Sequence, residues 1–123
     1  PSIFFTELAP LVFERLRVAA FKTPNTDYIG SIWGDVPVAE DEVVKSQSVV
    51  DQMVLSFSEG KGGGFFFWSL DRRFLVKTLE PDEYTGLKKL LPSYYIHLFT
   101  RPRSLLPRFF GTYSITIQNY TKY

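Results

Sequence analysis

Ser58-Glu59-Gly60-Lys61-Gly62-Gly63-Gly64-Phe65-Phe66-Phe67 runs a glycine-rich turn into an apolar segment. A second apolar segment, Arg73-Phe74-Leu75-Val76-Lys77-Thr78, follows and presents one lysine near its end. Glycine lets a backbone approach a ligand closely and adopt positive φ. Successive N–H groups exposed in such a turn form an anion-binding nest. A lysine emerging from an adjacent strand reaches the same anion as a compact point charge on a flexible stem. Together these residues suit the binding of nucleotide phosphates, and no other constellation in the chain suggests chemistry.

The elements that must position them are read from periodicity. Phe65 to Leu70 and Arg73 to Leu79 read as two strands joined by a turn at Asp71-Arg72. Alternation puts Leu75, Lys77 and Leu79 on one face of the second strand, so that Leu75 suits an adenine slot while Lys77 points at phosphates. Val49 to Ser58 alternates and reads, at its end, as a strand entering the glycines. Glu80-Pro81-Asp82-Glu83 opens a helix carrying Leu87, Leu90 and Leu91, because proline and acids suit a first turn. Pro92 is expected to break or restart it before Tyr94 to Phe99. Glu83 is the nearest carboxylate available to orient Lys77.

Upstream, Thr6 to Phe21 reads as one helix with Thr6 as N-cap and Val12, Phe13, Leu16 and Ala20 at helical spacing. Lys22-Thr23-Pro24-Asn25 ends it. Asp27 to Trp33 reads as a short helix or turn, and Gly34 to Glu42 as an acidic surface loop. Downstream, Ser104 to Phe110 is a connection, and Thr112 to Gln118 alternates as a strand that brings the chain to its last residues.

Composition bounds these readings. With 123 residues the chain has the size of one domain. Twelve Phe, seven Tyr and two Trp favour a packed core containing β structure. A formal charge of +1 disfavours nucleic-acid binding through bulk charge. The absence of cysteine excludes disulfides, thiolate metal sites and a cysteine nucleophile, and is compatible with the cytosol. No apolar run reaches the ~20 residues of a membrane span.

Each candidate also has an ordinary reading. Gly62-Gly63-Gly64 alone is a flexible loop, and a lysine at a strand end is commonly just solvated. Glu83 alone is an acid matching a helix dipole. His97, the single histidine, reads as structural, since ligand neighbours at fitting spacing are not evident. Arg101, Arg103 and Lys88-Lys89 are ordinarily solvated, although basic patches also face acidic membranes.

The order of glycine loop, strand, strand with lysine, helix and strand is that of a kinase small lobe. Four segments sharpen this. Ala9-Pro10-Leu11-Val12-Phe13-Glu14-Arg15-Leu16-Arg17 resembles an "APxVFxxLR" helix, and Asp27 to Ile32 resembles "DYxxSL". Gly60 to Phe66 with Asp71 to Thr78 resembles "GKSGSFF" followed by "DxRFIIKT". Leu90 to Leu98 and Ser104 to Tyr113 resemble "LLPxYYxHL" and "SLLPxFYGLY". In this order the segments resemble the N-terminal part of a phosphatidylinositol phosphate kinase, closer to type I members.

The resemblance implies an α+β fold, a kinase-like N-terminal lobe over residues 1–123 with an antiparallel sheet and packed helices. It implies transfer of the ATP γ-phosphate to a phosphoinositide headgroup. By analogy Gly60, Lys61, Gly62, Gly63 and Gly64 cover the ATP phosphates and Lys77 contacts them. Phe66 and Leu75 flank the adenine, and Glu83 is the helix carboxylate. Mg ligands, the catalytic aspartate and the substrate-selecting loop are expected in a C-terminal lobe outside these residues. The chain alone is therefore expected to be inactive. Gly62 and Gly64 replace the family's loop serines, which removes hydroxyl contacts. The expected partners are ATP and a phosphoinositide membrane surface, with cytoplasmic, peripheral membrane localisation, homodimers and no nucleic acid. The alternative is a non-catalytic module for dimerisation or membrane docking.

Overall fold

Ile3-Phe4-Phe5-Thr6 is aromatic and β-branched, a composition suited to a pleated surface. It forms strand β1 (Ile3–Glu7) rather than the start of a helix. The computed structural model describes residues 3–33, 66–69, 71–117 and 120–123. β1 pairs antiparallel with β4 (Tyr113–Ile117), from Ile3 opposite Ile117 to Glu7 opposite Tyr113. β4 pairs in turn with β5 (Tyr120–Lys122), giving the strand order β1-β4-β5. Thr6 therefore lies opposite Ser114 in a ladder and does not cap a helix. Phe5 stacks on Tyr113 across this pair, with ring centroids 5.2 Å apart.

The chain divides into two compact units, residues 1–25 with 79–123, and residues 26–78. In the first unit, helix α1 (Pro10–Arg15) starts after Ala9, whose backbone is left-handed at φ 43°. Pro10 suits the first helical position because no N–H is needed there. The helix continues into a π-helical turn, Leu16–Ala20, closed by Phe21 N–H donating to the Leu16 carbonyl at 2.8 Å. Lys22, left-handed at φ 53°, ends it.

Helix α3 (Pro81–Thr100) is continuous through Pro92. A proline inside a helix removes one hydrogen bond and costs about 3 kcal/mol. Here Leu91 on one side of it, and Tyr94 and Leu98 on the other, are buried in the same cluster as Phe13, Leu16 and Phe21. Burying an apolar side chain contributes about 1.5–3 kcal/mol, so three of them offset the proline and hold both halves in line. At the other end, Glu80 and Glu83 form a reciprocal capping box.

The segment after α3 is fastened to it by two polar clamps. The Tyr94 hydroxyl donates to the Pro107 carbonyl at 2.6 Å and accepts the Phe109 N–H at 2.8 Å. Burial pushes this hydroxyl's pKa up, against the opposing pull of the Phe109 N–H and the Arg108 charge. Ser104 Oγ lies 2.8 Å from His97 Nε2 and accepts the Leu106 N–H at 3.2 Å. His97 thus has a structural partner. Arg17 is buried and donates through Nη1 to the Phe110 carbonyl at 2.7 Å, tying the π-turn to the same segment.

Candidate nucleotide site

The second unit contains most of helix α2 (Asn25–Trp33) and a hairpin of β2 (Phe66–Trp68) and β3 (Leu75–Lys77). The hairpin turn is built around Asp71. Its carboxylate accepts from the hydroxyl of Ser31 on α2, from Ser69 Oγ at 2.6 Å and from the Arg73 N–H at 3.1 Å. Ser69 Oγ in turn accepts the Phe74 N–H at 3.0 Å, and the Ser69 N–H donates to the Phe74 carbonyl at 2.8 Å. Arg72 is left-handed at φ 59°, the conformation that reverses the chain. The expected turn at Asp71-Arg72 is present.

Desolvation raises the Asp71 pKa, but the bonds from Ser31, Ser69 and Arg73 and the Arg73 charge outweigh it and hold the carboxyl below its ordinary value. A carboxyl depressed on folding stabilises the fold above its unfolded pKa, and that contribution is lost as pH falls through the folded pKa. Asp71→Asn is therefore expected to weaken the hairpin at neutral pH and to flatten the acid side of the stability curve. Urea midpoints measured between pH 7 and pH 3 check this; parallel curves for the two proteins would remove Asp71 from the explanation.

The locked turn sets the register. Phe66 lies opposite Lys77, Phe67 opposite Val76, and Trp68 opposite Leu75. Directly opposed residues share a sheet face, and successive residues alternate between faces. One face thus carries Phe67 and Val76, continued by buried Phe74, which meets Tyr28 of α2 edge-on at 5.4 Å. The other face carries Phe66, Trp68, Leu75 and Lys77. All four are exposed, with Phe66 at 62 %, Trp68 at 53 % and Leu75 at 48 %. The structure brings together three residues singled out from the sequence: Phe66, Leu75 and Lys77. Leu79 lies beyond β3, and its N–H donates to the Tyr123 carbonyl.

Gly60, Lys61, Gly62, Gly63 and Gly64 lie outside the described residues, as do the strand expected before them and the loop expected from Gly34 to Glu42. Glu83 is at the third position of α3, in the first unit. Its Oε1 accepts the Glu80 N–H at 3.1 Å, so the acid has a local task in the helix cap. The sequence reading did not single out Trp68, which the period-two alternation of Phe66-Phe67-Trp68 puts on the same face as Phe66. It also missed the Ser31–Asp71 tie, because no local spacing marks a contact between residues so distant in the chain. Among the described residues no three His, Cys, Asp or Glu side chains converge to hold a metal ion. The described residues thus offer no magnesium site.

Among the described residues, antiparallel sheets and three α-helices make an α+β fold of the kind found in kinase N-terminal lobes. The family model for phosphatidylinositol-4-phosphate 5-kinase matches residues 46–123, and the chain belongs to that family. A phosphatidylinositol 4-phosphate 5-kinase of Plasmodium falciparum is 32 % identical over 118 residues, covering 96 % of this chain and 7 % of the relative. Phosphatidylinositol 4-phosphate 5-kinase 7 of Arabidopsis thaliana is 34 % identical, covering 91 % of this chain and 13 % of its own length. The chicken (Gallus gallus) type-1 beta enzyme is 36 % identical, with 94 % and 18 % covered. The chain thus spans less than a fifth of the length of these relatives. Among the described residues no helix is long and apolar enough to cross a membrane.

Proposed function

We propose that this chain supplies the phosphate-clamping side of the ATP site in a kinase that transfers the γ-phosphate to a phosphoinositide headgroup. The observation that carries the reading is the exposed face on which Lys77 stands beside Phe66 and Leu75. A cation at one end of an apolar surface matches a nucleotide, which is anionic at one end and a flat ring at the other. Phosphoryl transfer requires little covalent work from the protein; it is positioning and charge stabilisation. Lys77 offsets phosphate charge; the glycines at 60–64 and Glu83 remain candidates from the sequence for the rest of that task. The ligands for a magnesium ion and the base for the headgroup hydroxyl would be supplied by parts of the whole enzyme outside this chain. By itself the chain binds ATP without turning it over.

A second reading, docking at an anionic membrane, has its own support. Residues 84–123 contain six lysines and arginines and no acid. Leu105 is fully exposed, between Arg103 and Arg108, on the segment clamped by Tyr94 and Ser104. Arginines suit lipid phosphates and an outward leucine suits shallow insertion. An ATP titration of the chain, run beside co-sedimentation with vesicles of neutral lipid alone or neutral lipid plus phosphatidylinositol 4-phosphate, separates the two. ATP binding that is lost in Lys77→Ala supports the kinase reading. Sedimentation that requires the anionic lipid, ignores Lys77→Ala and occurs without ATP binding would replace it with the docking module.

A further inference from the structure

We infer that Ser104 is a phosphorylation site: it is the acceptor for a protein kinase that reads arginine, and its phosphate is then held by Arg101 and Arg108. The local sequence is Arg101-Pro102-Arg103-Ser104-Leu105, with arginine three residues and one residue before the hydroxyl. An acidic substrate groove recognises such a pattern by charge complementarity. No other serine or threonine in the chain has an arginine three residues before it. The position also lies where a modifying enzyme gains access. Residues 101–110 run outside helix and strand, and Arg103 and Leu105 on either side of Ser104 are exposed. Ser104 Oγ is held by two hydrogen bonds, one with His97 Nε2 at 2.8 Å and one from the Leu106 N–H at 3.2 Å. Two such bonds at an exposed segment are few enough to yield in a local opening.

In the modifying step, Ser104 Oγ attacks the γ-phosphorus of ATP bound to the protein kinase. The bond from that phosphorus to the bridging oxygen breaks, ADP leaves, and the hydroxyl proton passes to the kinase's base. The product carries about −1.5 to −2 charge and three acceptor oxygens. A seat for it is already built. Arg101, Ser104 and Arg108 line one depression together with the buried Phe21 and Leu98. Arg108 is kept there by its guanidinium, whose central carbon lies 5.4 Å from the centre of the Phe21 ring. A guanidinium fork matches phosphate oxygens two at a time. The C-terminal end of α3 disfavours a nearby anion, but two full cationic charges outweigh its partial one.

The full chain, treated with ATP and an arginine-directed protein kinase and mapped by mass spectrometry, is expected to take up phosphate at Ser104. Ser104→Ala should lose it, and Ser104→Thr, which keeps a hydroxyl, should retain it. Arg101→Gln should slow the modification at least about tenfold, as expected for losing one well-placed charge contact with the kinase. Phosphate on other residues alone, or a rate that ignores Arg101→Gln, would overturn the site. With phosphoserine at 104, the ³¹P resonance should titrate below the ordinary second phosphoserine pKa of about 6, and Arg108→Gln should move it back up. Identical titrations in the two proteins, at the ordinary value, would show a phosphate facing water and overturn its seating. Loss of far-ultraviolet circular dichroism on modification would overturn it too, since the phosphate would then break the segment's clamp instead of settling beside it.

Discussion

Lys77→Ala, placed in a full-length kinase carrying this chain, is expected to lower phosphate transfer to phosphatidylinositol 4-phosphate by at least about a hundredfold, the effect typical of losing one preorganised charge-stabilising donor. If Lys77 has the proposed role, acting on charge that shifts between phosphates during transfer, the loss should fall on kcat as well as on the KM for ATP. Lys77→Arg should recover little. The guanidinium is a planar fork, whereas the Lys77 ammonium, opposite Phe66 in the hairpin, is a compact point charge. Radiolabel transfer from ATP to lipid vesicles measures this directly. Turnover at the normal rate in Lys77→Ala would end the assignment of the lysine.

The largest effect on stability is expected from Phe13→Ala. Phe13 is 1 % exposed and packs in the cluster with Leu16, Phe21, Leu91, Tyr94 and Leu98. Truncating a buried phenylalanine costs about 3–5 kcal/mol, from lost transfer energy and the cavity left behind. Domains of this size are stable by only about 5–15 kcal/mol, so the variant should be partly unfolded at 37 °C. Leu11, two residues earlier on α1 and 74 % exposed, provides the control: Leu11→Ala should change stability by no more than about 0.5 kcal/mol. Urea denaturation followed by far-ultraviolet circular dichroism distinguishes the two. Similar midpoints would show that the cluster does not hold the first unit together.

The hairpin was legible in the sequence because its determinants are local. Alternation from Phe66 to Trp68 and from Leu75 to Lys77, with an Asp-Arg turn between, specifies strands, faces and register within a dozen residues. The start of α3 was legible for the same reason: Glu80, Pro81 and Glu83 are a helix entry written in consecutive residues. β1 was not. Its partner residues begin at Tyr113, more than a hundred positions away, and nothing near Thr6 announces that ladder. A threonine before a proline and an apolar periodicity imitates an N-cap, but the chain enters α1 through left-handed Ala9 instead. Pro92 misled in the opposite direction. Its local penalty is real, but the burial of Leu91, Tyr94 and Leu98 is a tertiary effect that outweighs it. Alternation and resemblance together put Phe66, Leu75 and Lys77 forward, and the register places them on one face of the hairpin. That Trp68 faces Leu75 on that same face is shown only by the register.

The widened turn at Leu16–Ala20 has a consequence for how this chain is compared with others. A π-turn accommodates one residue more than an α-turn over the same rise. Side chains before and after it are therefore out of step by about 100°, the rotation of a single helical residue. A homologue with an unbroken α-helix in this stretch can keep its equivalents of Phe13 and Phe21 inward only by being one residue shorter between them. Alignments should accordingly place a single-position gap within 16–20, and a gap-free match there would misassign the counterpart of Phe21.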